Sequence, residues 1–285
     1  GKTVGAVYAV STIGSVVGTL ATGFLLLPMF GSKSILMTVG FILLGLGSGL
    51  TFIYKGNFYR LFVVILIALS IFLLTPFISA DSKKLSVDTS LKQLSKSETF
   101  YGNVRVIDLP SRDMRLLTSD ASIIGAVSIS TSQSLLGYQK IVTLIPILKK
   151  GIHKVLLIGQ GAGNIATFLK VNYGIETDTL EIDPSIATAA NKYFGFTPTG
   201  KQILGDARFE LSKLHGTYDL VVHDCFTGGN EPTHLLTIET FRLIKRLLSP
   251  GGILALNTVA FYDGGKNPAL SSISGTLLRV FPELK

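Results

Sequence analysis

Residues 154–183, KVLLIGQGAGNIATFLKVNYGIETDTLEID, constrain this chain more than any other stretch. The apolar run 155–158 reads as a short strand buried on both faces. Gly159, Gly161 and Gly163 follow it, spaced GxGxG. A helix is predicted over 164–173 and a second strand over 177–182, with Glu181 and Asp183 at its end. A strand, a glycine turn, a helix and a second strand place the turn at the carboxyl end of a parallel sheet, where a helix N-terminus faces a ligand. Glycine is needed there because the backbone must turn tightly and approach that ligand closely. An acid at the tip of the second strand can accept both hydroxyls of a ribose. Glu181 stands about 20 residues past the loop, as a nucleoside-binding unit requires. Asp183, just before Pro184, reads instead as a helix cap.

The same pattern continues downstream. Gly205-Asp206-Ala207 follows a short strand, 202–204. YDLVVHD, 218–224, is a fourth strand with Asp224 at its carboxyl end. A Ser-Pro-Gly-Gly turn then leads into a fifth strand, 253–258. Helices are predicted between them, which argues an α/β fold with a parallel sheet. The expected strand order is 3-2-1-4-5, with the fifth strand at an edge. Asp224 sits where open α/β sheets carry their reactive groups, and a carboxylate there can hold an amine or take a proton. His223 points the other way by strand alternation, and nothing near Cys225 activates its thiol. The four histidines and the one cysteine lack metal-ligand spacing, so no metal site is expected.

The first 80 residues differ in kind. They hold no acid and, as bases, only Lys2, Lys33, Lys55 and Arg60, so all 18 acids lie further on. Three apolar runs, 4–30, 34–54 and 61–80, are each near the ~20 residues that cross a bilayer as a helix. A bundle of transmembrane helices is expected, with the lipid bilayer as a partner and the remaining chain in the cytosol. No ionisable residue lies at mid-depth, so no ion path is expected. The net charge of +8 is spread thinly along the chain, and no nucleic-acid face is indicated. Residues 81–97 are polar and serine-rich and read as a linker. Residues 98–130 read as a small β-hairpin region, with strands over 103–109 and 114–118 joined by a turn at Pro110. A helix is expected over 135–150, shortened or kinked by Pro146.

The segment GNEPTHLLTIETF, 229–241, follows YDLVVHDCF; together with DASIIGAV, 120–127, it resembles spermidine synthase-like proteins fused to membrane domains, in their fungal-type branch. The likeness to these polyamine aminopropyltransferase-like proteins covers about 98–285 and, weakly, the membrane part. It implies a Rossmann-like S-adenosylmethionine-type transferase fold over 131–285. It also implies S-adenosylmethionine or decarboxylated S-adenosylmethionine as cofactor, with an aminopropyl or methyl group passed to a small-molecule nucleophile such as a polyamine. In that scheme Gly159, Gly161 and Gly163 cradle the methionyl part, and Glu181 holds the ribose. Asp206, with Ala207 beside it, meets the adenine; Asp224 is catalytic and Asp120 meets the substrate. His234 and Glu239 belong to the same family pattern. The family's last two strands find no counterpart before Lys285, so a C-terminally incomplete domain is expected.

Three positions depart from the family. Ala162 replaces the acid that reads an aminopropyl amine, Ile124 replaces a glutamine, and Thr227 replaces a second acid. A polyamine needs several carboxylates, because an unpaired buried amine charge is costly; Asp120 and Asp224 alone remain. Two alternatives therefore stay open. One is an inactive cofactor-sensing domain attached to a membrane transport or scaffold protein; the other is an NAD-dependent enzyme.

Overall fold

The structure is a computed structural model that describes residues 2–53, 91–226, 231–259 and 267–283. It divides into two compact units, Gly1–Thr89 and Ser90–Lys285. In the first unit, α1 (Lys2–Ala21) runs through a π-helical turn, Thr22–Leu26, into α2 (Leu27–Ile53). Gly31 breaks α2 with φ 73° and ψ 158°, a backbone state that favours glycine, and it falls between the first two expected spans. Among the described residues one stretch, Thr3–Leu26, is long and apolar enough to cross a bilayer; Ser34–Gly47 is apolar but shorter. The expected three-span bundle thus reduces, in the described part, to one stretch of bilayer length. The third expected run, 61–80, lies outside the described residues. Hydroxyls of Thr12, Thr19 and Thr38 donate to the carbonyl four residues back, which satisfies them without water.

The second unit begins with a four-stranded antiparallel sheet: β1 (Lys92–Thr99), β2 (Gly102–Leu109), β3 (Met114–Ser119) and β4 (Ser122–Ser128), in sequential order. β1 corrects the linker expectation over 92–97. Its sequence, KQLSKSET, has no apolar alternation, but an edge strand needs mainly backbone partners, and its charges keep the free edge soluble. The expected hairpin is therefore the middle of a meander. Its turn is a 3₁₀ piece, Pro110–Arg112, closed by Asp113 at φ 49°. Val104, Val106, Leu117 and Val127 point inward and pack on Ala162, Ile186, Ala189 and Phe194, so this sheet lies over the glycine loop.

Two short helices follow, α3 (Gly137–Thr143) and α4 (Ile145–Leu148). The expected 135–150 helix breaks at Leu144, and Pro146 falls in the first turn of α4, where its missing N–H costs nothing. Then β5 (Lys154–Ile158), α5 (Asn164–Tyr173), β6 (Glu176–Glu181), α6 (Pro184–Tyr193), β7 (Gln202–Leu204) and α7 (Ala207–Lys213) alternate. β8 (Tyr218–His223), α8 (Ile238–Leu247), β9 (Leu248–Leu256) and α9 (Pro268–Leu278) complete the described part. The parallel sheet has the order β7-β6-β5-β8-β9, the expected one. Alternate residues of β5 bury on opposite faces. Leu156 and Ile158 pack with Phe241 and Ile244 of α8, while Val155 and Leu157 pack with Ile165 and Leu169 of α5. Each fully buried side chain of this kind contributes roughly 1.5–3 kcal/mol.

Candidate cofactor and transfer site

The carboxyl ends of β5, β6, β7 and β8 open into a cavity of about 380 Å³. The sheet order puts the glycine loop after β5 between the ends of β6 and β8. Gly159 (φ 91°) and Gly161 (φ 54°) line the cavity. A Cβ on Gly159 would run into the Asp224 carbonyl oxygen, and one on Gly161 would lie 2.9 Å from that of Ile124. These glycines let the loop close against the end of β8 and against β4. Gly163 (φ 76°) serves differently. It caps α5 and packs under Phe196, and of the three expected glycines it is the one that does not line the cavity.

Glu181 lies at the end of β6, only 6% exposed, and lines the cavity. Its Oε2 accepts the Gly161 N–H at 3.3 Å and its Oε1 the Asp183 N–H at 3.0 Å. Burial outweighs these bonds and pushes its carboxyl up to about 7. A carboxylate has about four lone-pair sites, so Glu181 keeps capacity to accept from a donor in the cavity. Asp183 is fully buried and caps α6 through Ser185, with the Thr99 hydroxyl on its other oxygen at 2.6 Å, as its expected capping role implies.

Asp206 lines the cavity beyond β7, beside the buried Ala207. Its Oδ1 caps α7 by accepting the Phe209 N–H, and its Oδ2 lies 3.1 Å from His234 Nε2. Asp224 completes the wall. Tyr138 of α3 donates its hydroxyl to Oδ2 at 2.9 Å and Asn257 donates its amide to Oδ1 at 2.8 Å. Burial raises the Asp224 pKa against the lowering effect of these two donors. Burial, then the Asp224 charge, raises the Tyr138 hydroxyl, which stays protonated as a donor. Cys225 also lines the cavity, but burial and then Glu181 and Asp224 hold its thiol protonated. His223 is buried on the opposite side of β8 and is pushed down to about 4 by burial, so it stays neutral.

The structure unites Gly159, Gly161, Glu181, Asp206, Ala207 and Asp224 around one cavity. It does not bring in Asp120. That residue turns the β3–β4 hairpin at φ 51°, is exposed, and accepts the Asn103 N–H at 2.8 Å; its neighbours Ser119 and Ser122 line the cavity instead. Sequence reasoning missed Tyr138 and Asn257, which no motif marks. Glu239 lies in the first turn of α8, where the Thr237 hydroxyl lowers its pKa after its own backbone amide, and it does not line the cavity.

Known proteins resemble this unit. A polyamine aminopropyltransferase of Vibrio vulnificus is 37% identical over 111 residues, which is 37% of each chain. An N-terminal histidine N-methyltransferase of Emericella nidulans is 34% identical over 133 residues, 45% of this chain and 23% of that protein. The chain thus spans well under half the length of these curated relatives. No protein-family model matches the chain. The solved spermidine synthase from Thermotoga maritima superposes on 67% of this chain and 65% of its own with a TM-score of 0.54 at 18% identity, a likeness of fold. The second unit has a Rossmann-like fold with a parallel sheet, of the kind seen in spermidine synthases.

Proposed function

We propose that the chain is a membrane-anchored alkyl transferase that uses S-adenosylmethionine or its decarboxylated form and modifies a nitrogen nucleophile. One observation carries the reading: Glu181, Asp206 and Asp224, at the carboxyl ends of β6, β7 and β8 on either side of β5, line one cavity with Gly159 and Gly161. This donor set fits an adenine nucleoside. Glu181 has lone pairs free for the ribose, Asp206 meets the adenine edge, and the two glycines leave room for the chain that follows. When bound, the cofactor supplies an electrophilic carbon next to a sulfonium. Gly159, Gly161, Glu181 and Asp206 would hold that group, and a bond made at its carbon would be balanced by loss of the thioether. The proton that the nucleophile sheds goes to the Asp224 carboxylate, which Tyr138 and Asn257 hold in place from opposite oxygens. The buried setting keeps that carboxylate a stronger base than one in water.

Ala162 favours methyl transfer from the intact cofactor. It is 1% exposed and packs against Gly125, so no carboxylate reads an aminopropyl amine from that position. The acceptor side also favours a nucleophile with a single cation or none. Tyr101, Ser119, Ser122 and Ile123 line it, and Asp224 is the acid left free of a cofactor or capping role. The Emericella relative, a methyltransferase by name, agrees with this preference. Membrane anchoring is supported by the bilayer-length helix, whose apolar side chains, such as Val7 and Tyr8, stay exposed within the first unit.

Calorimetric titration of the full chain with S-adenosylmethionine, its decarboxylated form and NAD tests the reading. Binding of the intact form at least as tight as the decarboxylated one, with no NAD binding, is expected. Tight binding of NAD alone would sink it.

A further inference from the structure

We propose that one corner of the second unit, at the end of the sheet opposite the cavity, rests on an anionic lipid surface. The inference stands on the outer face of the unit and does not depend on the transferase reading. In a parallel sheet with antiparallel helices, strand starts and helix ends gather at the end away from the site. α3 runs between the two ends, because Tyr138 near its start bonds Asp224 while the Thr143 carbonyl at its finish accepts the Tyr173 hydroxyl of α5. Beyond that point the chain exposes Leu144, Ile147 and Leu148, the last at 83%. The last turn of α5 adds Val171 at 77%. Large apolar side chains left this open, in the stretch that directly follows the Thr143–Tyr173 bond and on α5 beside it, are more than a scatter of single exposed residues.

The charges beside them have one dominant sign. Lys149 and Lys150 follow Leu148 directly, Lys154 begins β5, and Lys170 lies next to Val171. Of these, Lys149 donates to the Gly251 carbonyl and Lys154 stands over the Tyr218 ring, which leaves both charges uncancelled. Two acids lie near. Glu176 is 3.7 Å from Lys170, and Asp219 is occupied by the His153 and Lys154 amides and the Ser249 hydroxyl. Lysine is depleted at the cores of protein interfaces. Apolar side chains ringed by lysine are the surface that inserts into a headgroup layer carrying negative charge. Charge complementarity thus selects anionic lipid over a second protein. The chain itself carries a helix of bilayer length, which would raise the local concentration of such a surface. In this pose the cavity mouth faces away from the lipid.

Hydrogen exchange of the full chain in lipid nanodiscs tests the proposal, with discs of phosphatidylcholine alone or with about a third phosphatidylserine. Amides of 144–150 and 168–174 are expected to exchange at least about threefold more slowly in the anionic discs. Lys150→Glu with Lys170→Glu should abolish that difference. Leu148→Ser, which leaves every charge in place, should reduce it. Both sets of residues are exposed, and unchanged exchange over β5 and β6 would show that the variants fold. Equal exchange in the two kinds of disc would overturn the proposal. So would protection that survives the charge reversal, which would mark a contact with another protein copy instead.

Discussion

Glu181 has to satisfy two opposed demands. It must be buried to close the loop onto β6, and it must be ionised to accept two hydroxyls. Its pKa of about 7 is the outcome of burial. The sign follows from that value. An acid raised above its ordinary 4.5 stabilises the fold when protonated, so this contribution is present at low pH and declines as pH rises from about 4.5 to 7. Cofactor affinity should move the other way. Between pH 6 and pH 8 the ionised fraction rises about tenfold, and affinity should rise with it. Calorimetry at both values checks this, with Glu181→Gln as the control that should lose the slope. Glu181→Ala should cost roughly 1.5–3 kcal/mol of binding at pH 8. Glu181, Asp206 and Asp224 were legible in the sequence because each follows a strand end, and strand ends are written in local pattern. Tyr138 and Asn257 were not, because they reach Asp224 from distant positions that only the folded sheet brings near. Asp120 was legible as an acid but not as a turn residue, since a left-handed backbone with a carboxylate on the Asn103 amide leaves no mark at longer range.

At the level of elements, the contact that matters most is between β4 and the glycine loop. A Cβ on Gly125 would lie 2.5 Å from the Ala162 Cβ, so the two positions fill one space between the sheets. Ala162→Asp places a carboxylate there without room or partner. It should destabilise the fold by about 3 kcal/mol or more, from overpacking together with an unpaired buried charge, and should not create a preference for the decarboxylated cofactor. Thermal unfolding of the variant, with and without each cofactor, measures both effects. An unchanged midpoint would show that the loop has room. The parallel sheet itself was legible because apolar runs at β5 and β8 alternate with glycine turns and predicted helices. β1 was not, because a polar edge strand is specified by its neighbour's backbone rather than by its own side chains.

For the whole molecule, the two units differ in the surface they expose as well as in fold. α1 leaves large apolar side chains exposed, whereas the second unit buries a two-sided core around its parallel sheet. Alkaline carbonate washing of membranes should therefore leave the chain in the pellet, and a variant with Val10→Lys and Val17→Glu should shift it to the supernatant. Recovery of the unaltered chain in the wash would contradict the anchoring proposal. The apolar character of the first 80 residues was plain from their lack of acids, but the break at Gly31 was visible only as a short loop.

Gly125 and Ala162 also bear on how such a chain can change over generations. Because they share one volume, their substitutions are contingent on each other. A side chain gained at 125 needs the methyl group at 162 to go, and losing that methyl group alone leaves a void. Each single step passes through a less stable protein, so the pair works as a ratchet. A library that varies both positions together should yield folded variants with Ala at 125 and Gly at 162, whereas one that varies position 125 alone should yield few.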